Sequence, residues 1–123
     1  MKQSVLLVGH GSRLEGSEDA LNQLAHALRE REHSTFFQIA FLELRSPSIP
    51  EGIEICIHQG AEEVIVLPYF VQAGRHVVED IPKIVASERQ RYPDKKIFLA
   101  NYLSFDERIA SLVSDRIHQA RQP

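Results

Sequence analysis

Four short apolar runs, each followed by a stretch of helical periodicity, constrain the fold of this chain more than any other feature. The runs are Ser4 to Gly9, Phe36 to Leu42, Glu63 to Pro68 and Lys96 to Asn101, and Val64-Ile65-Val66-Leu67 is the clearest. Runs this short and this continuously apolar suit strands covered on both faces. Between and after them, Leu21, Leu24, Ala25 and Leu28 follow the spacing of one helix face. Ile49, Ile53, Cys56 and Ile57 do the same, as do Ile81, Ile84 and Val85, and then Ile109, Leu112, Val113 and Ile117. Four βα units in a row predict an α/β fold: one doubly wound, four-stranded parallel sheet, order 2-1-3-4, with helices on both faces and right-handed crossovers.

The ends of the helices are marked as well. Ser48-Ile49-Pro50-Glu51 has the form of a capping box with proline in the first turn, and Gly60 is placed to stop that helix. Ser104-Phe105-Asp106-Glu107 predicts a second capping box. Pro82 fits a helix that begins near Glu79 or Asp80, not one already under way.

Composition narrows the function classes. The chain has 123 residues, one ordinary domain. Its net charge of −3 argues against a nucleic-acid partner bound through a basic surface. A single cysteine, Cys56, excludes an intrachain disulfide, and it falls on an apolar helix face as a small core residue. The first apolar run is too short for a membrane span or a signal-peptide core, so no membrane association and a cytoplasmic location are expected.

The predicted topology says where chemistry belongs. In open α/β sheets, ligands bind beyond the carboxyl ends of the strands, where strand order reverses. In order 2-1-3-4 that point lies between the first and third strands. The loop after the first reads Gly9-His10-Gly11-Ser12-Arg13, and the loop after the third runs from Tyr69 and Phe70 to Gly74-Arg75-His76. One topological rule thus brings together two histidines far apart in sequence. Imidazole at such a place is a metal ligand or a base near neutral pH, or an ordinary hydrogen-bonded strand end. Arg13 and Arg75 can bind carboxylates or phosphates, or lie solvated in their loops. Glu43, closing the second strand, can ligate metal, orient a histidine, or pair with Arg45. His26, His33, His58 and His118 fall in or at the ends of helical patterns and read as surface residues.

These same stretches carry a family resemblance. Leu6-Leu7-Val8-Gly9-His10-Gly11-Ser12-Arg13, Phe41-Leu42-Glu43 with Pro47-Ser48-Ile49, Leu67-Pro68-Tyr69-Phe70, and Gly74-Arg75-His76-Val77 with Glu79-Asp80-Ile81-Pro82 follow one another in a continuous order. Together they resemble the small CbiX-type sirohydrochlorin cobaltochelatases of the class II chelatases. The resemblance implies a single chelatase domain over residues 1–123 that inserts a divalent metal into sirohydrochlorin, a carboxylate-rich tetrapyrrole. Cobalt is the expected substrate metal, with nickel or iron as alternatives, and no organic cofactor is called for. His10 and His76 become the catalytic, metal-handling pair, with Glu43 as a further ligand or orienting group. Ser12, Arg13, Arg45, Arg75, Tyr69 and Phe70 become candidates for binding the tetrapyrrole. Longer relatives resemble two such lobes in one chain, so a homodimer with its site between subunits is implied. Competing readings are a phosphohistidine phosphoryl-transfer enzyme, which would need Arg-His-Gly where Gly-His-Gly stands, and a non-enzymatic metal carrier. A receiver domain would need acidic residues ending the first strand and an Asp ending the third, and neither is present; a flavodoxin would need a hydroxyl-rich first loop, which Ser12 alone does not make.

Overall fold

In the computed structural model, which describes residues 2–122, the elements alternate as the sequence implies. They are β1 (Gln3–Gly9), α1 (Asp19–Arg31), β2 (Phe36–Phe41), α2 (Ile49–His58), β3 (Glu63–Pro68), α3 (Ile81–Arg91), β4 (Lys96–Leu99) and α4 (Glu107–Gln119). All pairings are parallel and the order is β2-β1-β3-β4. The expected reversal therefore lies between β1 and β3.

The two faces of the sheet are covered unequally. Leu6, Val8, Ala40, Val64, Val66 and Ile97 point to one face and pack against Ile49, Ile53 and Cys56 of α2 and Ile81 and Val85 of α3. Gly52 lets α2 approach the sheet: a Cβ there would stand 2.6 Å from Leu6 Cδ1. On the other face, Leu7 and Phe41 pack against Leu21 and Ala25 of α1. That helix covers β1 and β2 but not the β3–β4 half, where Phe98 is 47% exposed beside Ile65.

The helix after β4 does not close this gap. α4 has no buried residue, and Leu112, Val113 and Ile117 are 48, 50 and 56% exposed. Its periodicity correctly predicts a helix, but the described residues leave Leu112, Val113 and Ile117 of its apolar stripe unburied.

The capping box at Ser48 forms as expected: the Glu51 N–H donates to Ser48 Oγ, and the Ser48 N–H to Glu51 Oε1. Gly60 follows the helix with φ +97°, the left-handed turn that glycine favours at a helix end. The second box does not form. Asp106, not Ser104, caps α4, accepting from the Arg108 N–H at 2.9 Å, while Ser104 sits at φ 57°. Asp106 is the stronger local acceptor because the Arg108 guanidinium also donates to it, at 2.7 and 2.8 Å, and holds its carboxyl below the usual range.

The reading of Pro82 also needs correction. α3 is preceded without a break by a π-helical turn, His76–Asp80, so the proline enters a helix already under way. The Ile81 N–H reaches the His76 carbonyl, five residues back. This wider ring spares the collision that a proline makes with the carbonyl four residues back in a regular α-helix.

Candidate metal centre

Three side chains converge beyond the carboxyl ends of β1, β2 and β3. His10 follows β1 directly. The β1–β2 ladder then continues past the strands: Leu42 N–H donates to Gly9 O at 3.0 Å and Glu43 N–H to His10 O at 3.1 Å. This zipper sets Glu43 beside His10. Gly11 makes it possible, for it sits at φ +101° and a Cβ there would lie 1.7 Å from the Glu43 carbonyl oxygen. Leu44, next in the chain, takes a left-handed φ of 67°, a strained conformation for a bulky residue and a feature often found beside functional groups.

His76 comes from the start of the π-helical turn after β3. Its Nδ1–H donates to Asp80 Oδ2 at 2.8 Å, one turn further on. A carboxylate only accepts, so in neutral His76 the lone pair lies on Nε2. That atom faces Glu43 Oε1 at 3.8 Å, and His10 Nε2 lies 3.1 Å from the same oxygen. The imidazole centroids of His10 and His76 are 4.9 Å apart. One ligand atom from each of His10, Glu43 and His76 falls within 4.8 Å of the others, a separation that a single cation can bridge.

Two nitrogen ligands and one carboxylate oxygen suit cobalt, nickel, iron or zinc better than magnesium or calcium. All three side chains are about half exposed, so the remaining coordination positions face outward. On one side, a cleft of about 280 Å³ is bounded by His10, Gly11, Ser12 and Tyr69. On the other, an open depression of about 490 Å³ is bounded by Glu43, His76, Asp80 and Lys83.

The other expected site residues fall into distinct environments. Arg13 is exposed at the rim. Arg75 is exposed and pairs loosely with Glu79 at 3.5 Å. Ser12 Oγ accepts from the Leu14 N–H at 3.1 Å. Arg45 is engaged within the protein: it donates to Ser12 O at 2.7 Å and Leu14 O at 2.8 Å and pairs with Glu18 at 3.0 Å. It thereby braces the loop that carries His10. Phe70 packs against the main core with its ring 6.4 Å from His10, whereas Tyr69 is exposed at the cleft. His26, His33, His58 and His118 are exposed and lie outside the cluster. Sequence reasoning missed Asp80 as a site residue. The signal was available in the four-residue step from His76 to Asp80, which places two side chains on one helix face.

The CbiX family model matches residues 4–120. The chain belongs to the CbiX family. It is 35% identical to the sirohydrochlorin cobaltochelatase of Methanothermobacter thermautotrophicus over 135 aligned positions, covering 97% of this chain and 93% of that protein. It is 31% identical to the sirohydrochlorin ferrochelatase of Bacillus subtilis along its whole length, but covers 47% of that enzyme. The crystal structure of the Bacillus subtilis subspecies spizizenii sirohydrochlorin chelatase SirB in complex with cobalt superposes with a TM-score of 0.89 at 32% identity, over 97% of this chain and 51% of that one. This CbiX chain thus spans about half the length of the Bacillus relatives it matches. Among its described residues, no helix is long and apolar enough to cross a membrane.

Proposed function

We propose that this CbiX chain is a sirohydrochlorin chelatase, a single lobe over residues 1–123 that inserts cobalt into the tetrapyrrole, with nickel or iron as alternative substrates. The observation that carries the reading is the cluster of His10, Glu43 and His76 at the switch point of the sheet. Relatives named as cobalto- and ferrochelatases support the reaction class.

The chemistry follows from the geometry. A hydrated divalent ion exchanges part of its water for His10 Nε2, His76 Nε2 and Glu43 Oε1. His76 is ready for this, since its Nδ1–H is committed to Asp80. His10 Nε2 lies against the carboxylate and must be free of its proton before it can ligate, so metal uptake is coupled to pH. The outward positions of the ion then meet the macrocycle. Two pyrrole protons have to leave as the metal enters the ring, and a released imidazole or Glu43 is placed to accept them. Arg13 and Arg75 offer their guanidinium groups to substrate carboxylates, Ser12 a hydroxyl, and Tyr69 and Phe70 an aromatic wall. Arg45 acts by fixing the first loop. No organic cofactor enters this scheme. We place the protein in the cytoplasm, where a thiol such as Cys56 stays reduced, and as a homodimer whose two lobes together enclose the flat substrate.

The Glu43 carboxylate 3.1 Å from His10 weighs against phosphohistidine chemistry, because it sets a negative charge where a phosphoryl group would arrive. Anaerobic incubation with sirohydrochlorin and cobalt, nickel or iron(II), followed by absorbance, is the decisive assay. Metallation that is lost in His10→Ala and His76→Ala supports the proposal. Metal binding without turnover would make the chain a carrier instead.

A further inference from the structure

We propose that Leu44 is a substrate-contact residue, held in a strained turn so that its side chain meets the apolar face of the macrocycle beside the metal centre. The proposal rests on the chelatase reading above and adds a residue to it. The turn comes first. The Arg45 N–H donates to the Glu43 carbonyl at 2.9 Å, so Leu44 is the middle residue of a three-residue turn, and its φ of 67° is the rare, strained hand of that turn. Glycine takes such a conformation without steric penalty, and asparagine tolerates it. Backbone geometry alone therefore favours either of them over a bulky leucine.

Burial does not account for the leucine either, because Leu44 is 52% exposed. The residue is unfavourable to the fold twice, in its backbone and in the apolar surface it leaves in water. Strain that the core does not explain points to a task outside the fold. Its position says which task. Leu44 directly follows Glu43, whose carboxylate converges with His10 and His76. The Glu43 carbonyl that closes the turn is the atom against which Gly11 packs, so the turn is fastened to the His10 loop. Arg45, on its other side, donates to Leu14 O at 2.8 Å. Leu14 is itself 72% exposed. The loops that carry His10 and Glu43 are therefore tied together, and each bears an exposed leucine. A tetrapyrrole that approaches the outward positions of the ion is flat and apolar across its face, with its carboxylates at the rim. Guanidinium groups suit the rim, and aliphatic side chains suit the face. Tyr69 and Phe70 offer apolar surface on the β3 side of the centre, and Leu44 offers it on the β2 side.

Three variants separate side chain from backbone. Leu44→Gly removes the apolar surface and the strain together. Leu44→Asn removes the apolar surface and tolerates the turn, and Leu44→Met keeps an apolar side chain of similar volume. Each is followed by anaerobic metallation with cobalt(II), by absorbance on sirohydrochlorin binding without metal, by cobalt calorimetry and by thermal melting. Covering the open half of the leucine corresponds to about a fivefold to tenfold gain in affinity. Leu44→Gly and Leu44→Asn should therefore raise the KM and the Kd for sirohydrochlorin by about that factor, with kcat and cobalt affinity unchanged. Leu44→Met should restore the wild-type KM, and Leu44→Gly should melt no lower than wild type. A wild-type KM in the glycine and asparagine variants would overturn the proposal. Weakened cobalt binding in them would also do so, since the turn would then serve only to aim Glu43. A lower melting temperature of Leu44→Gly would return the leucine to the fold, and a raised KM that tracks a loss of mass in sedimentation would place it between two chains; either result removes the contact. A wild type that neither binds nor metallates sirohydrochlorin sinks the chelatase reading and this one with it. A wild type that does both, matched by all three variants, sinks this one alone.

Discussion

Replacing Gly11 by alanine adds one methyl group, and the structure predicts that this methyl disables the metal centre. The new Cβ would lie 1.7 Å from the Glu43 carbonyl oxygen, and contacts below 3.0 Å are not sustained, so the two loops must part by about 1.3 Å. A side chain at φ +101° adds a backbone cost of about 1–2 kcal/mol. Together these should lower the melting temperature by about 5–10 °C without preventing folding. The larger effect is local. Glu43 is held beside His10 by the bond from its own N–H to the His10 carbonyl, and the displaced atom belongs to that same residue. A misplacement of about 1 Å costs on the order of a hundredfold in rate where groups must converge on one atom. Calorimetric titration with cobalt should show at least about tenfold weaker binding, as expected when a ligand's support is lost. The initial rate of sirohydrochlorin metallation should fall about a hundredfold. Gly74→Ala is the control, since a Cβ there meets nothing within 4 Å, and it should behave as wild type. If Gly11→Ala binds cobalt and turns over normally, the contact between the two loops does not position Glu43 and the reasoning fails.

Other outcomes follow from the same geometry. His10→Ala and His76→Ala should each reduce metallation at least about a hundredfold while the melting temperature changes little, because neither ring is in the core; His26→Ala and His118→Ala should leave the rate unchanged. Protonated imidazole neither ligates metal nor accepts a proton, so turnover should fall as the medium is made acidic; a rate that stays flat from mildly acidic to neutral pH would contradict a histidine-dependent step. Burial pushes the Cys56 thiol up to about 11, so it should resist Ellman's reagent at pH 8 until the chain is unfolded. The sign of the linkage is that the folded state holds this proton more tightly. The stability Cys56 contributes is therefore intact below the unfolded thiol range and lost as pH rises toward 11.

The parts of this molecule legible in the sequence are those in which one physical demand acts alone. Val64 to Leu67 reads as a strand because burial on both faces leaves no room for polar residues. Order β2-β1-β3-β4 then carries His10 and His76 to one edge of the sheet without any knowledge of side-chain positions. Competing demands were less legible. Ser104 and Asp106 both offer caps to α4, and the choice between them is made by Arg108, two residues beyond Asp106. Pro82 signals a helix start, but the π-helical turn lets the helix begin five residues earlier. α4 is legible as an amphipathic helix, whereas periodicity says nothing of which surface accepts its stripe. Asp80 escaped because a carboxylate in a helix ordinarily faces water; only the position of His76 one turn earlier gives it work.

The π-helical turn also fixes the angular phase of the metal centre. In a regular α-helix each residue advances about 100° around the axis, so gaining or losing a single position rotates everything beyond it by that angle. His76 and Asp80 occupy the first and last positions of the widened turn, while Ile81 and Val85 lock the following helix onto the sheet. The widened turn is therefore an angular spacer between a fixed core face and a ligand that must point at Glu43. A one-residue deletion within 77–79 would let the ring from the Ile81 N–H to the His76 carbonyl close as a regular α-helical turn, with α3 still packed but the step from His76 to Asp80 cut from four residues to three. Chain length between His76 and Ile81 is thus as much a determinant of the centre as the identity of its ligands.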